Sequence, residues 1–266
     1  MKTSVLLIAL ACTTVSGIVG WRVYADSHES VNHFAILDDQ SVSYTGGCES
    51  VVGSAEQLLR TPGVTPRSKL MLLALGDSST ANEPRELGKY QIPVSRKVIE
   101  GKGASERQQA ILLRENSEDC RLIRSTTISP IFMGVRQALA DLHSEGCTET
   151  SYCQVRVNTD LEENVEAGIK ERLASSHPLK PLPARLDNSG IDISFCGYAA
   201  TAGRIVDSAG RERRFGSRNP AREDRMREVW SSAFTNPERV KFEPFCPKPT
   251  SPELYAKTNS APARLK

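Results

Sequence analysis

The chain has 266 residues, enough for one sizeable domain with tails or for two small domains. Hydrophobic residues make up 39% of it and charged residues 25%, proportions that are ordinary for a globular protein. The formal net charge of +2 is too small to favour a nucleic acid or an acidic membrane surface as a partner, and neither is expected.

The first 25 residues predict export through a membrane. Lys2 precedes an uncharged, apolar run over residues 5–19, and Val23-Tyr24-Ala25 offers small or branched residues at the −3 and −1 positions of a possible cleavage site. Residues 1–25 are therefore expected to be a signal peptide. An uncleaved membrane anchor is the alternative, because the run is close to the minimum span of a bilayer, and a lipoprotein signal at Cys12 is a third. The expected location is extracytoplasmic: secreted, periplasmic or anchored to the membrane by this segment.

Six cysteines follow the leader, an even number that favours disulfides in an oxidising compartment. Their spacing contains no CxxC pair, which disfavours a zinc site. The first expected pair is Cys147 with Cys153, since the residues between them form a turn. Six buried free thiols are the alternative reading. The full set is Cys48, Cys120, Cys147, Cys153, Cys196 and Cys246.

The first half of the chain predicts one helix and one buried strand. Residues 26–65 form a polar N-terminal extension whose apolar periodicity predicts a helix over 48–60. The uninterrupted apolar run over 70–75 predicts a strand that is buried on both faces, as in parallel sheets. Beyond it, residues 92–99 suggest a second strand and residues 106–114 a helix.

The second half predicts alternating helices and strands. Ser129 is suited to cap a helix that Pro130 opens and Gly146 ends. The Arg-rich segment 204–227 is expected to be a solvated insertion, with a basic ligand-binding arm as the alternative. Residues 248–266 are polar and predicted to be a disordered tail. The remaining predicted elements are a strand at 153–157, a helix at 161–173, a strand at 191–196, a helix from Asn219-Pro220 to Asn236 and a strand at 240–242.

This alternation predicts an α/β domain over residues 66–247, with a mostly parallel sheet and helices on both faces, a Rossmann-like architecture. Ligand sites in such folds lie beyond the carboxyl ends of the strands. That rule selects two loops, residues 77–82 and residues 160–164. Both place Asp and hydroxyl or amide side chains directly after a strand, and such oxygen-only sets suit Mg²⁺, Mn²⁺ or Ca²⁺. The alternative is that Asp77, Ser129 and Asp160 merely cap helices.

Three short segments resemble the metal-ion-dependent adhesion site of von Willebrand factor type A (VWA) domains. That site combines a D-x-S-x-S loop after the first buried strand, a Thr before a later helix and a T-D loop after another strand. The corresponding segments here are Asp77-Ser78-Ser79-Thr80-Ala81, Thr127 in TTISPIF, and Thr159-Asp160 in VNTDLEEN, in the family's order.

The resemblance implies a binding module, not an enzyme. Asp77 and Asp160 would hold Mg²⁺, with Mn²⁺ or Ca²⁺ as substitutes, largely through water, while Ser79 and Thr127 would bind it directly. The open coordination position would accept a carboxylate from a protein or other macromolecular ligand. The segment departs from the family because Ala81 stands where the second Ser belongs, and Thr126 could take the place of Thr127.

Two other interpretations remain open from the sequence. LALGDSST also resembles the first block of SGNH-type esterases, in which Ser78 would be the nucleophile. A Ser nucleophile needs a general base within reach, yet no histidine of this chain lies in a late D-x-x-H block and no G-x-N-D block is present. The third interpretation is a structural extracytoplasmic domain whose binding site has decayed, as Ala81 would allow.

Overall fold

The computed structural model describes most of residues 32 to 250. The described ranges are 32–41, 44, 47–59, 68–76, 84–91, 128–163, 165–175, 182, 184–198, 204–206, 212–214 and 220–250. Among these residues, no helix combines the length and apolar character that crossing a bilayer requires. The predicted leader, residues 1–25, lies outside them.

The described elements are eight strands, four α-helices and one short 3-10 helix, Pro237–Arg239. The strands are β1 His33–Asp39, β2 Lys69–Leu75, β3 Arg85–Gln91, β4 Cys153–Asn158, β5 Ile191–Cys196, β6 Arg204–Val206, β7 Glu212–Arg214 and β8 Val240–Glu243. The helices are α1 Gly47–Leu59, α2 Ile131–Ser144, α3 Ala167–Ala174 and α4 Pro220–Ser232.

Six strands form one sheet in the order β3-β2-β1-β4-β5-β8, and only β3 runs antiparallel. Strands β6 and β7 form a separate two-stranded ribbon within the Arg-rich segment. The predicted α/β class with a mostly parallel sheet is confirmed.

Strand β1 is central to the sheet, although it falls within the stretch expected to be an N-terminal extension. It pairs with β2 on one side and β4 on the other, and all seven of its residues are buried. The helix that follows, α1, covers the same sheet. The α/β domain therefore begins at or before His33 and not at residue 66.

The two faces of the sheet are covered unequally by the described helices. Alternate side chains of β1 point to opposite faces, because successive residues of a strand do so. Ala35 and Leu37 belong to the larger core under α2, α3 and α4, and Phe34 and Ile36 belong to a smaller one under α1. Helices thus lie on both faces, as predicted.

The polar residues of β4 lie on the face that α1 partly covers. Arg156 is 1% exposed and forms an ion pair with Glu243 at the end of β8. Ser194 of β5 donates to the other oxygen of that carboxylate. Burial lowers the pKa of the Arg156 guanidinium, and the charge of Glu243 opposes this. The ion pair with Glu243 therefore explains how a charged arginine can be buried in the middle of β4.

Several predicted boundaries move in the structure. Helix α3 begins at Ala167 and not at residue 161, because residues 161–163 form an irregular turn in which Leu161 has a positive φ. Residues 248–250, which were predicted to belong to a disordered tail, are ordered, since Thr250 hydrogen-bonds to Glu56 of α1; residues 251–266 lie outside the described residues. Strand β3 at 85–91 was not predicted, and the predicted strand 92–99 and helix 106–114 lie outside the described residues.

Two disulfides lie at opposite edges of the sheet. Cys147–Cys153 closes the turn before β4, the pairing that the spacing predicts, and Cys196–Cys246 joins the end of β5 to the segment after β8. Cys120 and the side chain of Cys48 lie outside the description. Disulfides persist in oxidising compartments, so these two bonds suggest an extracytoplasmic environment.

Candidate functional site

The carboxyl ends of β1 and β4 lie side by side in the middle of the sheet. From β1 the chain moves outward to β2, whereas from β4 it moves outward to β5 in the opposite direction. This reversal creates a crevice at the carboxyl edge, the usual position of a ligand site in open α/β sheets. The residues that follow β1 and β4 therefore form the candidate site.

Asp39, the last residue of β1, is the centre of this site. Its side chain is buried, and one carboxylate oxygen, Oδ2, accepts hydrogen bonds of 2.8 Å from the hydroxyls of Ser129 and Thr159. The other oxygen, Oδ1, accepts the backbone N–H of Ser41 at 2.9 Å. Three segments that are distant in the chain are thereby joined at one carboxylate.

Asp160 lies in the loop that follows β4 and is 0% exposed. Its Oδ1 accepts the N–H of Glu162 at 3.0 Å. The intervening Leu161 has a φ of 67°, a left-handed conformation that is rare for a leucine. Thr159 Oγ1 accepts the Leu161 N–H, and the indole of Trp230 donates to the Leu161 carbonyl. These contacts hold a strained backbone next to Asp160, as often occurs at functional sites.

The two carboxylates of the site influence each other's charge. Burial, and then the nearby charge of Asp160, raise the pKa of Asp39 from 3.8 to about 6. Hydrogen bonds from the Ser41 backbone, Thr159 and Ser129 oppose this increase but do not cancel it. Two buried carboxylates whose charges interact are unfavourable when both are ionised. A proton or a cation would relieve it.

A glutamate, not Ser129, accepts a hydrogen bond from a backbone N–H in the first turn of helix α2. No side chain of the preceding residue caps this helix, and Oε2 of Glu163 accepts the Phe132 N–H at 2.7 Å. Oε1 of the same carboxylate accepts the N–H groups of Val165 and Glu166, just before α3. The predicted capping role of Ser129 is therefore wrong: Glu163 satisfies the helix, and the Ser129 hydroxyl bonds to Asp39.

A second polar network lies behind Asp39, on the α1 face. Asp38 is 0% exposed, and its carboxylate accepts hydrogen bonds from Gln40 and from Asn158, the last residue of β4. Ser54 of α1 donates to Asn158 at 3.0 Å. Burial raises the pKa of Asp38 well above its ordinary value, and the charge of Asp39 adds to this. The carboxyl edge therefore holds buried acids on both faces of the sheet.

Of the four predicted metal ligands, Asp160 lies in this site. Asp77, Ser79 and Thr127 lie outside the described residues, so their part in binding stays a prediction. Ser129, two residues beyond Thr127, contacts the central carboxylate.

Asp39 and Ser41 are not among the site residues that were predicted. A signal for them is present: Asp39-Gln40-Ser41-Val42-Ser43 contains both serines of a D-x-S-x-S loop, and only Asp38 separates it from a run of four apolar residues. Because β1 precedes β2 along the chain, this loop, and not the one at Asp77, follows the first buried strand. Val42 and Ser43 lie outside the described residues.

Neither described histidine lies near the carboxyl end of β2, the end that leads to Ser78. His33 begins β1, and His143 is in the last turn of α2, where its ring contacts the Ser189 carbonyl. Both belong to the amino edge of the sheet, whereas Ser78 follows the carboxyl end of β2. That strand is seven residues long, roughly 20 Å from end to end. His28, His177 and Ser78 lie outside the described residues.

Comparisons with known proteins give distant structural similarity only. No protein-family model and no curated protein matches the chain. An aerotolerance-related membrane protein from Bacteroides fragilis aligns with 86% of this chain and 96% of its own, at 14% identity and a TM-score of 0.37. The conserved hypothetical protein BatB from Bacteroides thetaiotaomicron aligns with 86% of this chain and 95% of its own, at 13% identity and a TM-score of 0.35.

Proposed function

We propose that this chain is an extracytoplasmic, VWA-like binding module that holds a divalent cation at the carboxyl edge of its sheet. The cation would bind a carboxylate of a protein or other macromolecular ligand. The observation that supports this proposal best is the Asp39 carboxylate, which meets two hydroxyls from distant segments and lies close enough to Asp160 for that charge to raise its pKa. We propose no enzymatic step at this site.

The proposed cation site consists of Asp39, Ser41, Ser129 and Asp160. It keeps the order of the family motif: an Asp and a Ser after the first strand, a hydroxyl residue before a later helix, and an Asp after another strand. Three members differ from the set that the sequence suggested, because Asp39, Ser41 and Ser129 replace Asp77, Ser79 and Thr127. Asp160 is retained.

The chemistry of these side chains fits a hard divalent cation. Within the described ranges, no three His, Cys, Asp or Glu side chains converge so that they could hold a metal ion. Two carboxylates alone provide too few ligands, so hydroxyls and water would complete the coordination, as Mg²⁺ commonly requires. The cation would supply positive charge between two buried acids, and its free coordination position would attract a ligand carboxylate.

Calorimetric titration with Mg²⁺ tests the proposal. The wild type is expected to bind Mg²⁺, whereas Asp39→Asn should show no saturable heat because one of the two charges is lost. Asp141→Asn is the matched control: it removes an Asp from the last turn of α2, at the opposite edge, and should bind Mg²⁺ as the wild type does. Equal titrations for wild type and Asp39→Asn would overturn the cation site.

Proton release gives a second, independent readout. If Mg²⁺ displaces the proton that the Asp39–Asp160 pair retains near pH 6, the binding heat should depend on the ionisation enthalpy of the buffer at that pH. The dependence should disappear near pH 8, where Asp39 is already ionised. A buffer-independent heat at pH 6 would mean that Mg²⁺ binds elsewhere.

A further inference from the structure

The segment that follows β8 crosses helix α1. It is attached to the domain at two points, one at the end of β5 and one on α1. We call residues 244–250 the C-terminal strap. Its Cys246 forms the disulfide with Cys196 at the end of β5. Further along, the N–H of Thr250 donates to Glu56 at 2.7 Å, and the Thr250 hydroxyl bonds to the same carboxylate.

The strap approaches α1 so closely that only a glycine fits beneath it. A methyl group at Gly53 would lie 2.0 Å from the carbonyl oxygen of Pro247, far inside a van der Waals contact. The missing side chain therefore creates the groove in which the strap lies.

The disulfide of the strap touches the loop that carries Ser41. The hydroxyl of Tyr44 lies 3.4 Å from Sγ of Cys246, and the Tyr44 N–H donates to the Ser41 carbonyl at 3.1 Å. A disulfide sulfur carries no hydrogen, so the phenol must be the donor. Burial raises the pKa of this phenol well above its ordinary value, which keeps it protonated and able to donate.

The same sulfur also lies close to the other side of the cation site. A methyl group at Gly197 would lie 3.2 Å from Sγ of Cys246 and 3.3 Å from the carbonyl oxygen of Thr159. Thr159 in turn donates its hydroxyl to Asp39. The disulfide therefore contacts Tyr44 in the segment that follows β1, and it lies beside Gly197, which adjoins the Thr159 carbonyl after β4.

We propose that Cys196–Cys246 is a redox-sensitive latch that positions the Ser41 loop of the cation site. A dithiol reductant would attack Cys246, which is half-buried, whereas Cys196 is fully buried. The S–S bond would break with two electrons and two protons from the dithiol, giving two protein thiols and the oxidised, cyclic disulfide of the reductant. Without the bond the strap leaves α1, the Tyr44 hydroxyl loses its contact with Cys246 and keeps the one with Ser50, and affinity for the cation falls. The effect on affinity rests on the proposed function.

The test compares two paired variants. Cys196→Ser/Cys246→Ser removes the latch, and Cys147→Ser/Cys153→Ser removes the disulfide of the opposite edge as a matched control. Hydrogen exchange at the Thr250 and Tyr44 amides reports on the strap and the loop, and Mg²⁺ titration reports on the site. We expect at least tenfold faster exchange and at least tenfold weaker Mg²⁺ binding in the latch variant, with the control unchanged in both.

Each outcome decides the proposal. Unchanged exchange in the latch variant would overturn it, and so would faster exchange with unchanged Mg²⁺ affinity. If the wild type binds no Mg²⁺, the proposed function fails, but the exchange data still decide whether the bond holds the strap and the loop. If the latch variant does not fold, mild dithiothreitol treatment of the control variant replaces it, with alkylation and mass spectrometry to show that Cys196 and Cys246 are the released thiols. Exchange and affinity must then change when the reductant is added.

Discussion

The shared burial of Asp39 and Asp160 predicts an unusual dependence of stability on pH. The pKa of Asp39 is about 6 in the folded protein and 3.8 in the unfolded chain, so the folded state holds this proton more tightly. Stability from this group is fully present below about pH 4 and is lost as pH rises through about 6, a total of roughly 3 kcal/mol. Between pH 5 and pH 7.5 the expected loss is roughly 1.4 kcal/mol.

Asp39→Asn isolates this contribution, because an amide cannot ionise and the neighbouring hydroxyls can reverse their donor and acceptor roles. Urea unfolding is followed by the fluorescence of Trp230, which is fully buried. With EDTA present, the wild type should lose roughly 1.4 kcal/mol more than Asp39→Asn between pH 5 and pH 7.5. The raised pKa of Asp38 acts in the same direction, and the difference between the two proteins removes the part of its contribution that comes from burial and does not depend on the Asp39 charge.

Magnesium should reverse the effect in the wild type alone. At a concentration a hundred times its dissociation constant, a ligand that binds only the folded state adds about 2.7 kcal/mol. We expect this gain at pH 7.5, a smaller gain at pH 5 where the cation competes with the proton, and none in Asp39→Asn. Identical pH dependence in the two proteins would refute the assignment of the raised pKa to this carboxyl group.

Three further substitutions test the site and its support. Ser129→Ala removes a hydroxyl that donates to Asp39 and should weaken Mg²⁺ binding about tenfold, equivalent to ~1.4 kcal/mol, in the same calorimetric assay. Gly134→Val places a side chain where a methyl group would already lie 2.2 Å from Leu75, and should lower the free energy of unfolding by about 1–3 kcal/mol in urea. Trp230→Phe leaves the carbonyl at the strained turn without its indole donor and should cost about 1–3 kcal/mol, measured by circular dichroism. An unchanged midpoint in either of the last two variants would contradict the packing or the hydrogen bond concerned.

The parts of the fold that the sequence predicts well are those with long apolar runs or clear periodicity. Strand β2, with six consecutive apolar residues, and helix α2, with a regular apolar stripe, lie close to their predicted bounds. Strand β1 was missed because its apolar run is only four residues long, between His33 and the acidic pair at its end. Buried acids are uncommon in strands, since each must be paired or keep its proton. The pattern therefore suggested a solvent-exposed segment.

Of the candidate site at the carboxyl edge of the sheet, the sequence predicts Asp160 in the loop after β4. Because β1 was missed, the sequence assigned the other predicted Asp and Ser to the loop after β2 and overlooked Asp39 and Ser41. Ser129 was assigned to the helix because a Ser before Pro usually caps one. That helix instead uses Glu163, which is 31 residues away along the chain. Such a distant partner leaves no local pattern in the sequence.

The two-sided role of Glu163 limits how the loop after β4 can evolve. One carboxylate accepts hydrogen bonds at the beginnings of both α2 and α3. A shift of either helix relative to the sheet would therefore also shift the other or break these bonds. Inserting a single residue between Asp160 and Glu163 would move the carboxylate away from the Phe132 N–H and break the link between the two helices, although its local bonds to Val165 and Glu166 would move with it. Their lengths and outer surfaces can vary freely, but the spacing of this short loop cannot.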